Sequence, residues 1–265
     1  MTPAQDGGES PWGAPEWVTV GLIAVSLAVA LVLLIVTAGP RTVRGAAVAA
    51  PAPPLPAQPT QASLIPPQVP NWQAAVSTRR NAALDVPPTW RVEGPGWVFG
   101  YGIPELDVRI AFDGGARYSN ALCPGDQSAK HSAIAGIAGS PITDLTAAAT
   151  DSARLWAFGM FGDDTTPLPV IALSDPVPST VNSRPAVRVT ATVNRTSCSD
   201  GRGGVVHALA LPGNRGQPIV FIVGAEQGMP GAATDADLQK MLTSARAAGL
   251  TPAQCDQGNV VGTWC

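Results

Sequence analysis

Charge is scarce in this chain, and that scarcity excludes one broad class of function. Only 13% of the 265 residues are charged, and the formal net charge at pH 7 is −3. Lys130 and Lys240 are the only lysines. Proteins that bind nucleic acids display clustered Lys and Arg. We therefore expect no nucleic-acid partner.

Motifs that announce catalysis or cofactor binding are also absent. The sequence contains no GxSxG, no Walker A, no GxGxxG and no HExxH. Its two histidines, His131 and His207, are isolated in sequence, and a packed or surface role suits both better than acid–base chemistry. The acid pair Asp163-Asp164 is typical of a solvated turn, with a weak cation site as the alternative. The sequence thus predicts no catalytic residue, no cofactor and no metal site, and we expect no enzyme.

One long apolar run stands near the N-terminus. Residues 18–38 contain no charge and are dominated by Val, Leu, Ile and Ala. In a helix these 21 residues span about 30 Å, the thickness of a bilayer core. Trp17 precedes the run as an interfacial aromatic, and Gly39-Pro40 ends the helix. We predict an uncleaved transmembrane helix at residues 17–39 whose partner is the lipid bilayer through residues 18–38; a cleaved signal peptide is the alternative.

The residues that flank this run and the rest of the sequence predict opposite orientations of the helix in the membrane. The preceding tail, residues 1–16, has acidic residues and no basic one, whereas Arg41 and Arg44 follow the run. By the positive-inside rule this pattern puts the C-terminal part in the cytoplasm. The linker, the cysteines and a family resemblance favour the opposite side.

Residues 40–70 form a linker that is rich in Pro and Ala. From residue 45 onward the linker carries no charge and shows no periodicity. Such a composition indicates a disordered, semi-rigid spacer of polyproline type, about 80 Å long if extended. We interpret it as a stalk that holds a domain clear of the membrane, with a PxxP ligand on a cytoplasmic face as the alternative.

All four cysteines lie beyond the linker: Cys123, Cys198, Cys255 and Cys265. There is no CxxC, which argues against zinc and against a redox motif. Three pairings are possible. The short spacing makes Cys255–Cys265 the simplest bridge, which leaves Cys123 with Cys198. Disulfides require an oxidising compartment, and four buried thiols in a cytosolic domain are the alternative.

Residues 71–250 alternate between strand and helix patterns, and a tail of residues 251–265 follows. The residues at helical spacing predict a helix over 142–161, capped by Thr143 or Asp144. An [ST]xx[DE] box at Thr234 opens a second helix that ends at Gly249. Short strand-like runs bounded by turns predict strands at 72–77, 81–85, 90–92, 97–101, 108–112, 116–122, 170–173, 186–193, 205–211 and 219–223, and the run at 108–112 alternates. The order indicates an α+β fold, an antiparallel sheet packed by two helices.

Several segments together resemble a known domain. They include DVPPTW, ALCPGDQSAKHSAIAG and LTAAATDSARLWAFGMF, within a match from about residue 72 to residue 248. They look like a domain of unknown function found in single-span actinobacterial membrane proteins, and more distantly resemble PsbP-like and LpqN-like domains. The resemblance implies a PsbP-like sandwich outside the cytoplasm, with Cys123 and Cys198 at positions similar to the family's cysteine pair. It implies no catalytic residues.

We therefore expect a non-catalytic binding or interaction module of the cell envelope, anchored in the cell membrane by a single pass with its C-terminal domain extracytoplasmic. Its partner is an unknown envelope protein or ligand. Trp90, Trp97 and Trp156 are expected in the core, and a tryptophan-lined groove between helix and sheet is the first place to seek a ligand. The alternatives are an envelope hydrolase whose site is assembled from distant residues, or a domain on the cytoplasmic face.

Overall fold

Antiparallel strands dominate the computed structural model, which describes residues 64–118, 132–162, 168–194, 196, 203–213, 216–228, 232–251 and 253–255. Two α-helices accompany the strands in these residues, α1 (Leu145–Phe161) and α2 (Asp235–Thr243). The strands are β1 (Gln73–Ser77), β2 (Ala82–Val86), β3 (Arg91–Val92), β4 (Val98–Ile103), β5 (Val108–Tyr118), β6 (Ala133–Gly139), β7 (Ile171–Leu173), β8 (Val177–Val181), β9 (Arg184–Val193), β10 (Gly203–Pro212), β11 (Pro218–Gln227) and β12 (Arg246–Ala247). The prediction of an α+β fold with two helices is confirmed.

Nine strands form the large sheet. Seven of them follow each other in the order β3-β5-β6-β11-β10-β9-β7, and the other two lie beside this path. β4 pairs with β5, and β8 pairs with β9. The central strands β10 and β11 are buried along nearly their whole length. Both of their faces are covered, which is why they are continuous apolar runs rather than alternating ones.

The two faces of the large sheet have different covers. Helix α1 packs on one face through a row of buried alanines that lets its backbone come close to the strands, Ala148, Ala149, Ala153 and Ala157. The other face is covered by α2 and by a three-stranded sheet of order β1-β2-β12. The fold is therefore layered, with the large sheet in the middle.

A buried ion pair fastens the small sheet to the segment that precedes it. Asp85 on β2 is fully buried and lies 2.8 Å from Nη1 of Arg246 on β12. Its other oxygen, Oδ2, accepts hydrogen bonds from the backbone N–H groups of Gln68 and Val69. The last residues of the proposed linker are therefore held against the domain.

Strand β8 is an edge strand of the large sheet. The β8–β9 hairpin turns at Asn182 and Ser183, and both have positive φ, as a two-residue type I′ turn requires. Hydrogen-bonded and non-hydrogen-bonded pairs alternate along this hairpin, starting from the hydrogen-bonded Val181–Arg184 pair. Pro178 is therefore in a non-hydrogen-bonded pair, where a backbone N–H would face away from β9. The proline therefore costs no ladder hydrogen bond and removes a donor from the open edge.

Several predicted boundaries differ from the structure. The predicted turn at 113–115 is a bulge within the continuous strand β5, where Gly114 has φ of +57° and lies against the backbone of β1. The second helix ends at Thr243 rather than at Gly249, because β12 follows and pairs with β2. Strands β6, β8 and β12 were not predicted.

The predicted membrane span at residues 18–38, and the linker up to residue 63, lie outside the described residues. No helix within the described ranges is long and apolar enough to cross a bilayer.

Candidate functional site

One polar cluster brings together residues that are distant in sequence. His207 lies on β10, and Thr190 lies directly opposite it on β9. The hydroxyl Oγ1 of Thr190 is 2.8 Å from Nδ1 of His207. On the other side of the ring, Nε2 is 2.9 Å from Oδ1 of Asp235, the first residue of α2. The structure therefore assembles a hydroxyl, an imidazole and a carboxylate in one row.

Burial decides the ionisation of this histidine. The side chain of His207 is only 2% exposed, and desolvation lowers its pKa below the usual value. The carboxylate of Asp235 acts in the opposite direction, and Arg188 reinforces the lowering. Neutral His207 then donates from Nε2 to Asp235 and accepts the Thr190 proton at Nδ1, so both ring nitrogens are satisfied.

The exposure of the acid in this row is the reverse of what a hydrolase needs. In a catalytic triad the hydroxyl faces substrate and the buried acid orients the imidazole. Here the acid is the open member, because the Asp235 side chain is 62% exposed, whereas His207 is sealed under α2. This arrangement suits fastening a helix to a sheet better than attacking a bound substrate.

A second cluster is aromatic and lies on the α1 side of the large sheet. The aromatic cluster consists of Trp97, Phe99, Tyr101, Phe112 and Trp156. Phe112 stacks on Trp156 with ring centroids 4.7 Å apart, and both are buried. Trp97 stacks on Phe99 at 5.4 Å, and Tyr101 meets Trp156 edge-on at 5.8 Å. The three rings from the Trp97–Tyr101 stretch are half-buried, so the cluster has a sealed inner layer and a partly open outer layer.

Glycines make room for these rings. A Cβ on Gly136 would lie 2.1 Å from the Phe112 ring, and one on Gly159 would lie 2.7 Å from Tyr101. A Cβ on Gly115 would lie 2.5 Å from the Phe112 ring and 2.9 Å from the Trp97 ring. The cluster is therefore a built feature in which backbone and rings fit each other closely.

Charged groups border the outer layer. The Arg117 guanidinium lies 5.8 Å from the centre of the Trp97 ring. Arg117 also pairs with Glu93, whose side chain is nearly buried. Burial, aided by Glu226, raises the pKa of Tyr101, so its hydroxyl keeps its proton at any physiological pH. An apolar surface rimmed by ionic groups is typical of a ligand site.

The sequence anticipated part of this surface. Trp90 and Trp156 are buried as expected, although Trp90 packs on the opposite face of the sheet. Trp97 is half-buried rather than core. Phe99 and Tyr101 were missed, and the signal that could have found them is the alternation in WVFGYG, which puts three rings on one side of a strand.

The other proposed site residues are less informative. His131, Asp163, Asp164, Cys123, Cys198 and Cys265 lie outside the described residues. Cys255 is buried. The pairing of the four cysteines stays a prediction. Within the described part of the chain, no group of three or more His, Cys, Asp or Glu side chains could hold a metal ion.

Comparison with known proteins gave structural likenesses of low score. LpqN from Mycobacterium tuberculosis, which is involved in cell envelope biogenesis, is 15% identical, with 62% of this chain and 76% of that chain covered and a TM-score of 0.30. Cyanobacterial PsbP from Synechocystis is 12% identical, with coverage of 68% and 94% and a TM-score of 0.38. PA94, a protein of unknown function from Pseudomonas aeruginosa, is 13% identical, with coverage of 64% and 87% and a TM-score of 0.26.

The sequence comparisons differ in what they found. No curated protein matches the chain. A family model matches residues 65–249, more than half of the chain and most of the folded part. The chain therefore belongs to the family described as a domain of unknown function, DUF8017.

Proposed function

We propose that this protein is a non-catalytic binding module of the cell envelope, tethered to the membrane by residues 18–38 and displayed outside the cytoplasm. The apolar run, the uncharged Pro-rich linker and the even cysteine count support this location. An even number of cysteines suits disulfide pairing, and disulfides persist in oxidising compartments.

The outer layer of the aromatic cluster carries the binding part of the proposal. Trp97, Phe99 and Tyr101 offer large, rigid, half-open rings beside an ionic rim. Rings of this kind give much contact area at a small cost in side-chain entropy. Their inner neighbours are locked by stacking, so the surface needs little rearrangement to accept a ligand.

Fluorine NMR can test this surface with envelope fractions as probes. The full chain, with 5-fluorotryptophan at its seven tryptophans, would be held in nanodiscs and mixed in turn with purified envelope polysaccharide and with envelope lipid. A Trp97→Phe variant assigns the Trp97 signal. We expect one of the two fractions to shift the Trp97 resonance while the Trp90 resonance, from the other face, stays unchanged.

The matched variants are Trp97→Ala and Val98→Thr. Val98 is the next residue along the chain and the first of β4, and at 46% exposure it points away from the cluster. Binding should fall at least tenfold in Trp97→Ala, because a hot-spot ring carries about 2 kcal/mol or more, and should persist in Val98→Thr. If neither fraction shifts the Trp97 or the Trp156 resonance, the binding surface is wrong.

A hydrolase is the second candidate, and the Thr190–His207–Asp235 row is the observation that favours it. Chromogenic ester, glycoside and peptide substrates would be assayed with the wild type, Thr190→Val and His207→Gln. We expect no turnover that depends on either residue. Turnover lost in both variants would replace the binding proposal with an enzymatic one.

A further inference from the structure

Helix α2 is attached at its two ends by contacts of different kinds. At its C-terminal end, Ser244 accepts a hydrogen bond from the backbone N–H of Asp85, next to the buried pair with Arg246. Near its middle, Arg188 donates to the side chain of Gln239. At its N-terminal end, Asp235 is bonded to His207. Only this last attachment includes a group whose ordinary pKa lies near neutrality.

The surroundings of His207 destabilise the protonated, positively charged form of its ring. Among the described residues, the charged groups that act on it are Asp235 from α2 and Arg188 from β9. Its neighbour on β11 is Val223, which is uncharged. Protonation would put a second cation near Arg188 and at the N-terminal, positive end of the α2 dipole. Asp235 would favour that cation, but water screens its exposed carboxylate, whereas the imidazole is almost fully desolvated.

The helix itself has little stability of its own. It has nine residues, fewer than an isolated helix needs in water. Its Thr234 N-cap closes the first turn through Asp237, and Leu238 packs beneath it. Detaching the first turn would break the bond to His207 and uncover Leu238, which is fully buried.

We propose that His207 is a pH-sensitive latch for the N-terminal turn of α2. Neutral His207 holds Asp235 and keeps the turn on the sheet. Protonated His207 favours an open state in which the turn detaches and the imidazole is hydrated. This device is independent of the aromatic cluster, which lies on the opposite face of the large sheet, so it does not rest on the proposed function.

The direction of the pH effect follows from linkage. In the open state the imidazole regains its ordinary pKa near 6.5, whereas in the closed state burial lowers its pKa. The open state thus binds the proton more tightly. Above pH 6.5 the opening constant is independent of pH; below it, opening rises by up to about tenfold per pH unit, and it levels off once the pH falls below the closed-state pKa.

Native-state hydrogen exchange on the full chain can test the latch. Opening constants for the amides of Asp235–Thr243 would be measured from pH 7.5 to pH 5.0, after correction for the intrinsic pH dependence of exchange. We expect the opening constants of the N-terminal amides of α2, those of Asp237 and Leu238, to rise by up to about tenfold per pH unit below 6.5. Amides of the central strand β11 should not change in parallel, because the event is local.

Two variants and a titration make the outcome decisive. His207→Gln keeps a polar side chain without a titrating group, and its α2 exchange should be flat with pH; His131→Gln, which replaces the only other histidine, should behave as the wild type. An equal rise in wild type and His207→Gln would overturn the latch. If His207→Gln does not fold, NMR titration of the wild-type imidazole decides, and a midpoint at or above 6.5 would contradict the proposal.

Discussion

The two faces of the large sheet both carry an apolar core, but they differ in the polar contacts that attach their helices. On the α1 face a 17-residue helix packs through alanines and stacked rings. On the α2 face a helix of about half that length packs through Leu238, Met241 and Leu242. A histidine and an arginine of the sheet also bond to its side chains, and a buried ion pair lies in the small sheet beside it. Apolar packing does not change with pH, whereas a contact made by a histidine depends on the ionisation of its ring. The first face therefore suits a stable binding surface, and the second suits a responsive element.

Removing one partner of the buried ion pair should have the largest effect on stability. Arg246→Met leaves the carboxylate of Asp85 buried without its cation, and we expect a loss of about 3–5 kcal/mol in the free energy of unfolding. Urea denaturation of the full chain in detergent measures it. The double variant Asp85→Asn with Arg246→Met should lose less, because no buried charge remains.

The control for this prediction is Arg109→Met, which removes an exposed arginine from β5. It should change stability by less than about 0.5 kcal/mol. If Arg109→Met and Arg246→Met lower the free energy of unfolding equally, the buried ion pair does not stabilise the α2 face.

A steric change on the α1 face should have the next largest effect. In Gly136→Ala the new methyl group would lie 2.1 Å from the Phe112 ring, which cannot yield because Trp156 stacks on it. Overpacking of this kind costs about 1–3 kcal/mol. Thermal unfolding of the full chain would show it, together with a changed Trp156 environment in near-UV circular dichroism.

Gly102→Ala is the matched control for Gly136→Ala. Gly102 lies on β4, and a Cβ there meets no atom within 4 Å. The substitution should leave stability unchanged or raise it by about 0.4–1 kcal/mol. A full loss in Gly102→Ala as well would mean that the strand, and not the ring, sets the requirement for glycine.

The helix caps give the smallest and most direct comparison of the two faces. Asp144 caps α1 by accepting from the N–H of Ala147, and Thr234 caps α2 by accepting from the N–H of Asp237. Asp144→Ala and Thr234→Ala should each cost about 1 kcal/mol. Hydrogen exchange should show fraying over all of α2 in Thr234→Ala but only over the first turn of α1 in Asp144→Ala. Equal fraying would contradict the contrast between the faces.

The sequence predicted the elements that rest on local signals. Helix α1 and its Asp144 cap, the Thr234 box, and strands β9 to β11 follow from spacing and capping chemistry. Strand β6 was missed because AIAGIAG is built of small residues and shows no clear period, and only its central place in the sheet explains its burial. Strand β8 was missed because its proline is typical of a loop, although an edge strand accepts it.

The polar cluster could not have been predicted from one sequence. Thr190 and His207 are 17 residues apart, and Asp235 is a further 28 residues along the chain. Their contact depends on the register between β9 and β10 and on the docking of α2, neither of which is encoded locally. The aromatic cluster is intermediate, since its outer rings follow from strand alternation while Phe112 and Trp156 come from other elements.

The most direct test of the proposed function is to find on which side of the membrane the domain lies. Val170 is 90% exposed, so Val170→Cys adds a reactive thiol that a membrane-impermeant maleimide can reach. In intact spheroplasts the account predicts full labelling of Val170→Cys and no labelling of the wild type, whose native cysteines would be paired. Labelling of Val170→Cys only after lysis would put the domain in the cytoplasm and contradict the account.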